Sequence, residues 1–388
     1  VLRWIQRNRT TFLSLVVLVA ATLVLRAWQL ERIPPGIFYD EAGQGLDARE
    51  LLHGQFRVFF PRSMGKEPLY IYLTTPFVAV WDSHPFAVRL AAALLGTLTV
   101  LALYLAARAL WTRKPRDATW VGLFAAALWA ANYWPQSINR LGFRVNTLPL
   151  VLTLAVIAWL NWTRKPTRGR ALTFGLLAGA TLLTYLAARI TLLLWPLLYL
   201  LTLSAEERRR LASTRGWAIV PLLLVPAPMF LFLVTHPTQA VDRLTYFPLW
   251  RGMDHLGEMV RLLLISTRDV LGGFLGWAGD PIPRHNLPGR PPFGLVLGGL
   301  FAMGVILAFQ AVWPRPASAT GEESSGSEEV RIGRTLLLWW GVMIVPAILA
   351  GEDNPHFLRL FGALPPALLL LSWPILWLRD HLSPARRA

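Results

Sequence analysis

Apolar runs of membrane-span length recur along the whole of this sequence, and that recurrence limits the fold more than any other feature. Crossing about 30 Å of hydrocarbon takes roughly 17–25 residues of helix. Lipid offers no partner to a backbone N–H or C=O, so each run must satisfy those groups internally, as α-helix. The two-residue alternation of a membrane β-barrel is absent. Hydrophobic residues make up 54% of the 388 and charged residues only 15%, too little polar surface to cover a soluble core. The expected fold class is an all-α polytopic membrane protein, a single transmembrane domain over 1–388.

About ten spans are expected from the length of these runs. They lie near Thr11–Leu30, Phe86–Leu110, Thr119–Pro135, Val145–Leu160, Leu172–Leu186, Ile190–Leu203, Trp217–Thr235, Phe293–Val312, Thr335–Ala350 and Leu360–Leu378. Hydropathy alone leaves the fifth and sixth separable or merged around Arg189. The first run is long enough to span and has no small-residue cleavage site, so it is read as a span and not a signal peptide.

The net charge of +16 is concentrated in alternate short loops. Arg3, Arg7 and Arg9 precede the first span. Arg113, Lys114 and Arg116, then Arg164, Lys165, Arg168 and Arg170, then Arg208, Arg209, Arg210 and Arg215 follow at every second connection. Arg386 and Arg387 end the chain. The positive-inside rule places all of these in the cytoplasm, with both termini, and accounts for the charge without nucleic acid. The chain is expected in the cytoplasmic membrane with its active face extracytoplasmic. No cysteine is present, which excludes thiol catalysis, thiolate metal sites and disulfides.

Trp-Thr-Arg-Lys-Pro occurs twice, at Trp111–Pro115 and Trp162–Pro166. The simplest account is an interfacial Trp, basic anchors and a helix-stopping Pro; a docking sequence is the alternative. Residues 314–334 read as a cytoplasmic linker, disordered over the Ser-, Gly- and Glu-rich Pro316–Glu329.

Two outer segments, 31–85 and 236–292, exceed the length of simple connectors, and such loops are commonly functional. The first carries Tyr39-Asp40-Glu41, after which Ala42–His53 can form an amphipathic helix with Leu46, Leu51 and Leu52 on the membrane surface. Asp40 is either a helix N-cap, with Glu41 favoured in the first turn, or a general base held at the lipid–water boundary. A single residue can serve as both. Lys66, in Gly65-Lys66-Glu67-Pro68-Leu69-Tyr70, either snorkels at the interface or meets a lipid phosphate. Arg140, Arg144 and Arg189 lie on the outer side against the charge bias; a bound anion or ion pairing with Asp82, Asp242 or Glu258 would explain them. Further polar candidates are Tyr70 in the first segment, His285 and Asn286 in the second, and His356 and Arg359 after Glu352-Asp353-Asn354-Pro355 in the last outer turn. No histidine pair shows metal-ligand spacing, and no phosphate loop or nucleophile elbow is present.

An Asp-Glu pair after the first span and a Lys-x-Pro-Leu segment before the second together resemble the lipid-carrier-dependent glycosyltransferases of the GT-C fold. The likeness points to family 39, which includes protein O-mannosyltransferases and the aminoarabinose transferases of lipid A. Phe38-Tyr39-Asp40-Glu41-Ala42 looks like that family's first-loop motif. Lys66-Glu67-Pro68-Leu69 looks like its Lys-Pro-Pro-Leu segment, with Glu67 in place of the first Pro. The motifs and span order cover roughly the first half of the chain. Arg-His-Asn-x-Pro-Gly and Pro-His-x-x-Arg further on resemble bacterial members more loosely.

The resemblance implies a bundle of about ten spans with amphipathic helices in two large outer loops. It implies a polyprenyl-phosphate sugar donor in the membrane lipid, an unnamed glycan, lipid or protein acceptor, and inversion at the anomeric carbon. Asp40 would be the base, Glu41 would orient hydroxyls, and Lys66, Arg140, Arg144 and Arg189 would clamp the lipid phosphate. Tyr39, Tyr70, His285, Asn286, His356 and Arg359 would contact substrate. Gln136–Arg144, the outer loop after the third span, has no acid, unlike metal-dependent relatives, so no metal or other cofactor is expected. No large soluble C-terminal domain like that of some relatives is expected, and acceptor choice is expected from the outer loops or a membrane partner protein. The alternatives are a transporter or flippase of lipid-linked saccharides, which would place ionisable residues at mid-membrane, and an O-antigen-type polymerase or ligase.

Overall fold

The computed structural model describes residues 8–82, 84–238, 255–313, 323–350 and 354–382. Helices account for the regular structure among them: α1 (Arg9–Ala27), α2 (Tyr39–Leu52), α3 (Leu69–Trp81), α4 (Pro85–Leu110), α5 (Pro115–Ala131), α6 (Tyr133–Ile138), α7 (Thr147–Arg164), α8 (Arg168–Thr181) and α9 (Thr191–Thr202). There follow α10 (Ala205–Leu211), α11 (Arg215–Leu224), α12 (Ala227–Thr235), α13 (Leu256–Leu275), α14 (Leu295–Val312), α15 (Glu323–Ile348), α16 (Phe357–Leu360) and α17 (Leu364–Leu382).

Every expected span meets a helix. By length and composition, 6 helical stretches can cross a membrane, or 7 if the pair α10–α11 and α12, bent by 44°, counts as one. The bend falls at Val225-Pro226, where proline can neither donate to the helix ladder nor pack against the carbonyl four residues back. The helices for the third, fifth and sixth spans are shorter, at 17, 14 and 12 residues. Irregular backbone from Leu182 to Tyr185 separates the last two, so the chain around Arg189 is a break and not one merged span.

At the centre of the bundle, α4 touches α1, α3, α5 and α7. Its buried face is rich in small residues, including Ala91, Ala92, Gly96, Ala102, Ala106 and Ala107. Apolar burial gives no advantage over lipid, so close packing must supply the association, and small residues permit it. At Gly96 an added Cβ would sit 2.2 Å from Asn139 Oδ1.

The first outer segment folds more completely than expected. An apolar helix of 13 residues, α3, lies where loop was expected; at about 1.5 Å per residue it is too short to span. Phe60 and Lys66 pair as an antiparallel bridge before it. Leu46 and Leu52 of α2 are exposed, as an interfacial helix requires, but Leu51 is buried with Ala48 against Phe60, Ile71 and Val78.

The basic loops gather away from this segment. Arg89, near the start of α4, contacts Glu41, whereas Arg108, near its end, contacts Pro115 and Thr119. At that second end the expected linker is partly ordered, because α15 begins at Glu323; residues 314–322 lie outside the described ones. The Glu328 carboxylate accepts from the Thr112 N–H, the Thr112 hydroxyl and the Arg113 N–H, and Glu329 pairs with Lys114 at 3.0 Å. Arg331 pairs with Glu207 and Arg379 with Asp117. The repeated tryptophans are not interfacial anchors. Trp111 packs edge-on to Trp373, and Trp162 donates to Thr214 Oγ1 at 3.0 Å, both buried.

Candidate active site

Two neighbouring acids open α2 and part company there. Phe38 is the N-cap, so Asp40 is not one; the capping is done by Glu41, whose Oε2 accepts the Phe38 N–H at 3.1 Å. Glu41 is fully buried. It accepts from Arg89 Nε at 3.0 Å, Arg89 Nη2 at 3.1 Å and the Gly142 N–H at 2.7 Å. Arg89 in turn donates to the carbonyls of Leu30, Pro34 and Gly36 at 3.1, 2.9 and 2.6 Å. Glu41 therefore fixes the turn that follows the first span and offers nothing to a ligand hydroxyl. Successive helical residues point about 100° apart, so one of the pair faces the core when the other faces out.

Asp40 faces out, 23% exposed on its side chain, into a cavity of ≈ 430 Å³. Tyr39 and Gln44 of α2 line it beside Asp40; Ser63 and Met64 add a second wall. Ser63, Met64 and Gly65 take consecutive positive φ values of 59°, 62° and 89°, a left-handed turn that non-glycine residues adopt at a cost of about 1–3 kcal/mol each. At Gly65 a Cβ would sit 2.4 Å from the Phe59 ring.

The facing wall is basic. Arg284 Nη1 lies 3.4 Å from Asp40 Oδ2, and its guanidinium sits over Phe38 at 4.8 Å and Phe143 at 5.5 Å. Arg144 enters from the turn before α7, over Tyr185 at 5.3 Å, and Arg359 and His356 enter from the last outer turn. Burial, with Arg359, His285 and Arg284 nearby, pushes the His356 imidazole well below its ordinary value. Glu352 and Asp353 lie outside the described residues.

The acid that answers Arg144 and Arg189 is none of those expected. Glu67 Oε2 is 2.8 Å from Arg144 Nε and Oε1 is 3.4 Å from Arg189 Nη2. Asp82 pairs with Arg49 at 3.8 Å, Asp242 is outside the described residues, and the residue that departs from the family's Lys-Pro-Pro-Leu segment is the one holding both arginines.

Several sequence candidates stand behind the walls. Lys66 is fully buried, its Nζ 2.6 Å from Asp47 Oδ2. Burial pushes this ammonium below its ordinary value, against the upward pull of Asp47. Gly43 makes room for it, since a Cβ there would meet Lys66 Nζ at 3.0 Å. Arg140 clamps the end of α1, donating to the carbonyls of Leu25, Arg26, Trp28 and Ile33. Tyr70 is buried and donates to the Val88 carbonyl at 2.6 Å. Asn286 is buried and donates to the Asp280 carbonyl at 2.6 Å, and His285 Nε2 lies 2.7 Å from Asp280 Oδ2. As placed, none of Lys66, Arg140, Tyr70, His285 and Asn286 lines the cavity.

Arg284 stands directly before His285, and its signal in the sequence was the same as that of Arg140, Arg144 and Arg189, a basic residue outside the basic loops. Arg89, Asp47 and Asp280 carried no local signal, because their partners are distant in sequence or silent in pattern.

No protein-family model matches the sequence, and no curated protein matches it significantly. Solved structures do. ArnT from Cupriavidus metallidurans bound to undecaprenyl phosphate superposes with a TM-score of 0.60 at 18% identity, over 95% of this chain and 60% of that one. Archaeal oligosaccharyltransferase AglB from Archaeoglobus fulgidus, in complex with an inhibitory peptide and a dolichol-phosphate, gives 0.60 at 12% identity, over 98% and 52%. The chain spans only about half to three-fifths of these proteins' lengths. The likeness shows that this chain shares the fold of those proteins, the GT-C fold that the first-loop motif implied.

Proposed function

We propose that this chain is an inverting glycosyltransferase that moves a sugar from a polyprenyl-phosphate carrier to an acceptor hydroxyl, with Asp40 as general base. One observation carries this more than any other. A carboxylate on the first outer segment and three arginines, Arg144, Arg284 and Arg359, line one cavity, in a chain with the fold of enzymes solved with polyprenyl phosphates. A volume of ≈ 430 Å³ falls in the roughly 300–1,000 Å³ usual for small-molecule sites.

A single displacement needs little else. Asp40 takes the proton of the acceptor hydroxyl, the hydroxyl oxygen bonds to the anomeric carbon, and the carbon–oxygen bond to the carrier breaks. The electron pair of that bond leaves on the carrier phosphate, where negative charge grows and preplaced cations lower its energy. Arg284 links the two events. Its guanidinium meets Asp40 in the resting cavity, and a phosphate offers it a bidentate partner instead. Exchange of partners frees the carboxylate as donor binds. The arginines supply the charge at the leaving group, and the reacting atoms call for no metal.

The cavity belongs, in this proposal, to the extracytoplasmic side. The basic loops around Arg113, Arg164 and Arg210 mark the opposite side as cytoplasmic. The test is a transfer assay with defined polyprenyl-phosphate sugars and purified protein, wild type against Asp40→Asn. Loss of turnover with retained donor binding is the expected result; normal turnover by the folded variant would overturn the role of Asp40.

A further inference from the structure

The repeated Trp-Thr-Arg-Lys-Pro has no part in the proposed reaction, yet folding brings its two copies to one place. The first copy follows α4 and the second spans the end of α7. Thr112 and Arg113 of the first, and Thr163 and Arg164 of the second, line a single cavity of ≈ 360 Å³. To it α10 adds Glu207 and Arg210, and α15 adds Glu328 and Arg331. The 26 residues of α4 run from the Asp40 segment to this cavity, roughly 39 Å at about 1.5 Å per residue.

Charge does not balance there. Four arginines face two glutamates, and both carboxylates are already supplied with donors. Glu207 pairs with Arg331 and accepts the Ser204 N–H at 2.8 Å. Glu328 Oε1 accepts the Thr112 N–H at 2.9 Å, the Arg113 N–H at 3.0 Å and the Thr112 hydroxyl at 2.7 Å. Consecutive backbone N–H groups turned to one oxygen form a nest for an oxyanion. The first copy of the motif thus displays, on the chain's own carboxylate, the chemistry that it recognises. Arg164 has no carboxylate partner among the described residues; its guanidinium donates to the Ala109 carbonyl. Arg210 pairs with Glu206, which is exposed on the same helix.

The positive-inside bias explains why these loops are basic. It does not explain why arginines from four stretches of chain converge on one hollow, since like charges brought together repel unless an anion joins them. We propose that a phosphate group binds among Arg113, Arg164, Arg210 and Arg331, as the headgroup of an anionic membrane lipid or as the free ion. Guanidinium groups meet phosphate oxygens in pairs. Basic pockets between spans on the cytoplasmic side take lipid headgroups, and the basic loops mark this side as cytoplasmic. Buried Leu110, Leu160 and Ile332 also line the cavity. They favour the lipid, because a ligand with acyl chains gains from apolar walls and a bare ion does not. Bound there, the phosphate ties the turn after α4 to the end of α7, to α10 and to α15.

The test does not depend on the proposed reaction. The full chain, stripped of lipid in a neutral detergent, is titrated with short-chain phosphatidylglycerol, short-chain phosphatidylcholine and inorganic phosphate. Native mass spectrometry and the melting temperature read the binding. The expected result is a saturable phosphatidylglycerol site that raises the melting temperature, weakens with added salt and discriminates against phosphatidylcholine. It should persist in Arg284→Ala, which separates it from the Asp40 cavity, where a phosphate is also expected. Inorganic phosphate bound as tightly as the lipid would assign the same site to the free ion. Arg164→Gln should weaken binding roughly 10-fold, the worth of a charged hydrogen bond. Arg210→Gln, on an exposed side chain that the fold does not need, should act in the same direction. Glu328→Gln removes a like charge and should tighten binding, by roughly 2–5-fold. No saturable binding of either phosphate ligand, phosphatidylcholine held as tightly as phosphatidylglycerol, or an affinity indifferent to both arginine substitutions would overturn the site.

Discussion

The Glu41–Arg89 pair and the Asp40–Arg284 pair start from adjacent residues and use the same chemistry, yet they have opposite work. The first is sealed, with side chains 0% and 1% exposed, and every partner beyond the pair is backbone. The second is about a quarter exposed on each side chain, at 3.4 Å, and its arginine rests on two aromatic rings. A sealed pair with all its hydrogen bonds satisfied cannot exchange partners without stranding a charge in a medium that will not solvate it. A half-open pair can, because water or a ligand takes the vacated position. Burial, more than residue type, separates scaffold from chemistry here.

Substitutions can break that contrast in order of size. Asp40→Asn removes the base while keeping shape, and kcat should fall by ~10²–10⁴ with the melting temperature near wild type; steady-state kinetics and a thermal scan read both. Glu41→Ala should do the reverse, costing about 3–5 kcal/mol of stability by leaving Arg89 buried without its carboxylate. Denaturation in detergent checks this, and the double variant Glu41→Met with Arg89→Met should recover part of the loss if the pair is the cause. Arg284→Ala should cost kcat/KM roughly 10–100-fold, the worth of a charged hydrogen bond of about 1.5–3 kcal/mol. The loss should fall on kcat as well as on the donor's KM, because the phosphate gains charge as the bond breaks. The smallest effect belongs to the opposite end of the bundle, where Glu328→Gln should change stability by at most about 1 kcal/mol and leave transfer untouched. A large loss of transfer there would mean that the two ends are coupled.

The outer arginines show how far pattern reaches and where it stops. Charge patterning marked Arg140, Arg144 and Arg189 as needing partners, and pointed to acids or a bound anion. Arg140 turned out to need backbone carbonyls, Arg144 and Arg189 to share Glu67, and only Arg144 lines the cavity. Lys66 went the same way: the lysine of the motif is present, but its ammonium meets Asp47. A motif preserves the residue, but which face of its segment is covered depends on a neighbour the motif does not contain. Here that neighbour is α2, which brings Asp47 and the gap at Gly43 over the lysine.

The sequence by itself determined that this chain is a helical membrane bundle, roughly where its helices lie, and that Asp40 stands at the start of a helix after the first span. Those follow from local quantities: run length against bilayer thickness, and the short motif Phe38–Ala42. Only the tertiary structure decided that Asp40 rather than Glu41 meets the cavity, that Arg284, 244 positions away, is its partner, and that the two copies of Trp-Thr-Arg-Lys-Pro line one cavity. Electrostatics and hydrogen bonding act over a few ångströms of space, and folding brings within that range residues whose separation along the chain carries no trace of it.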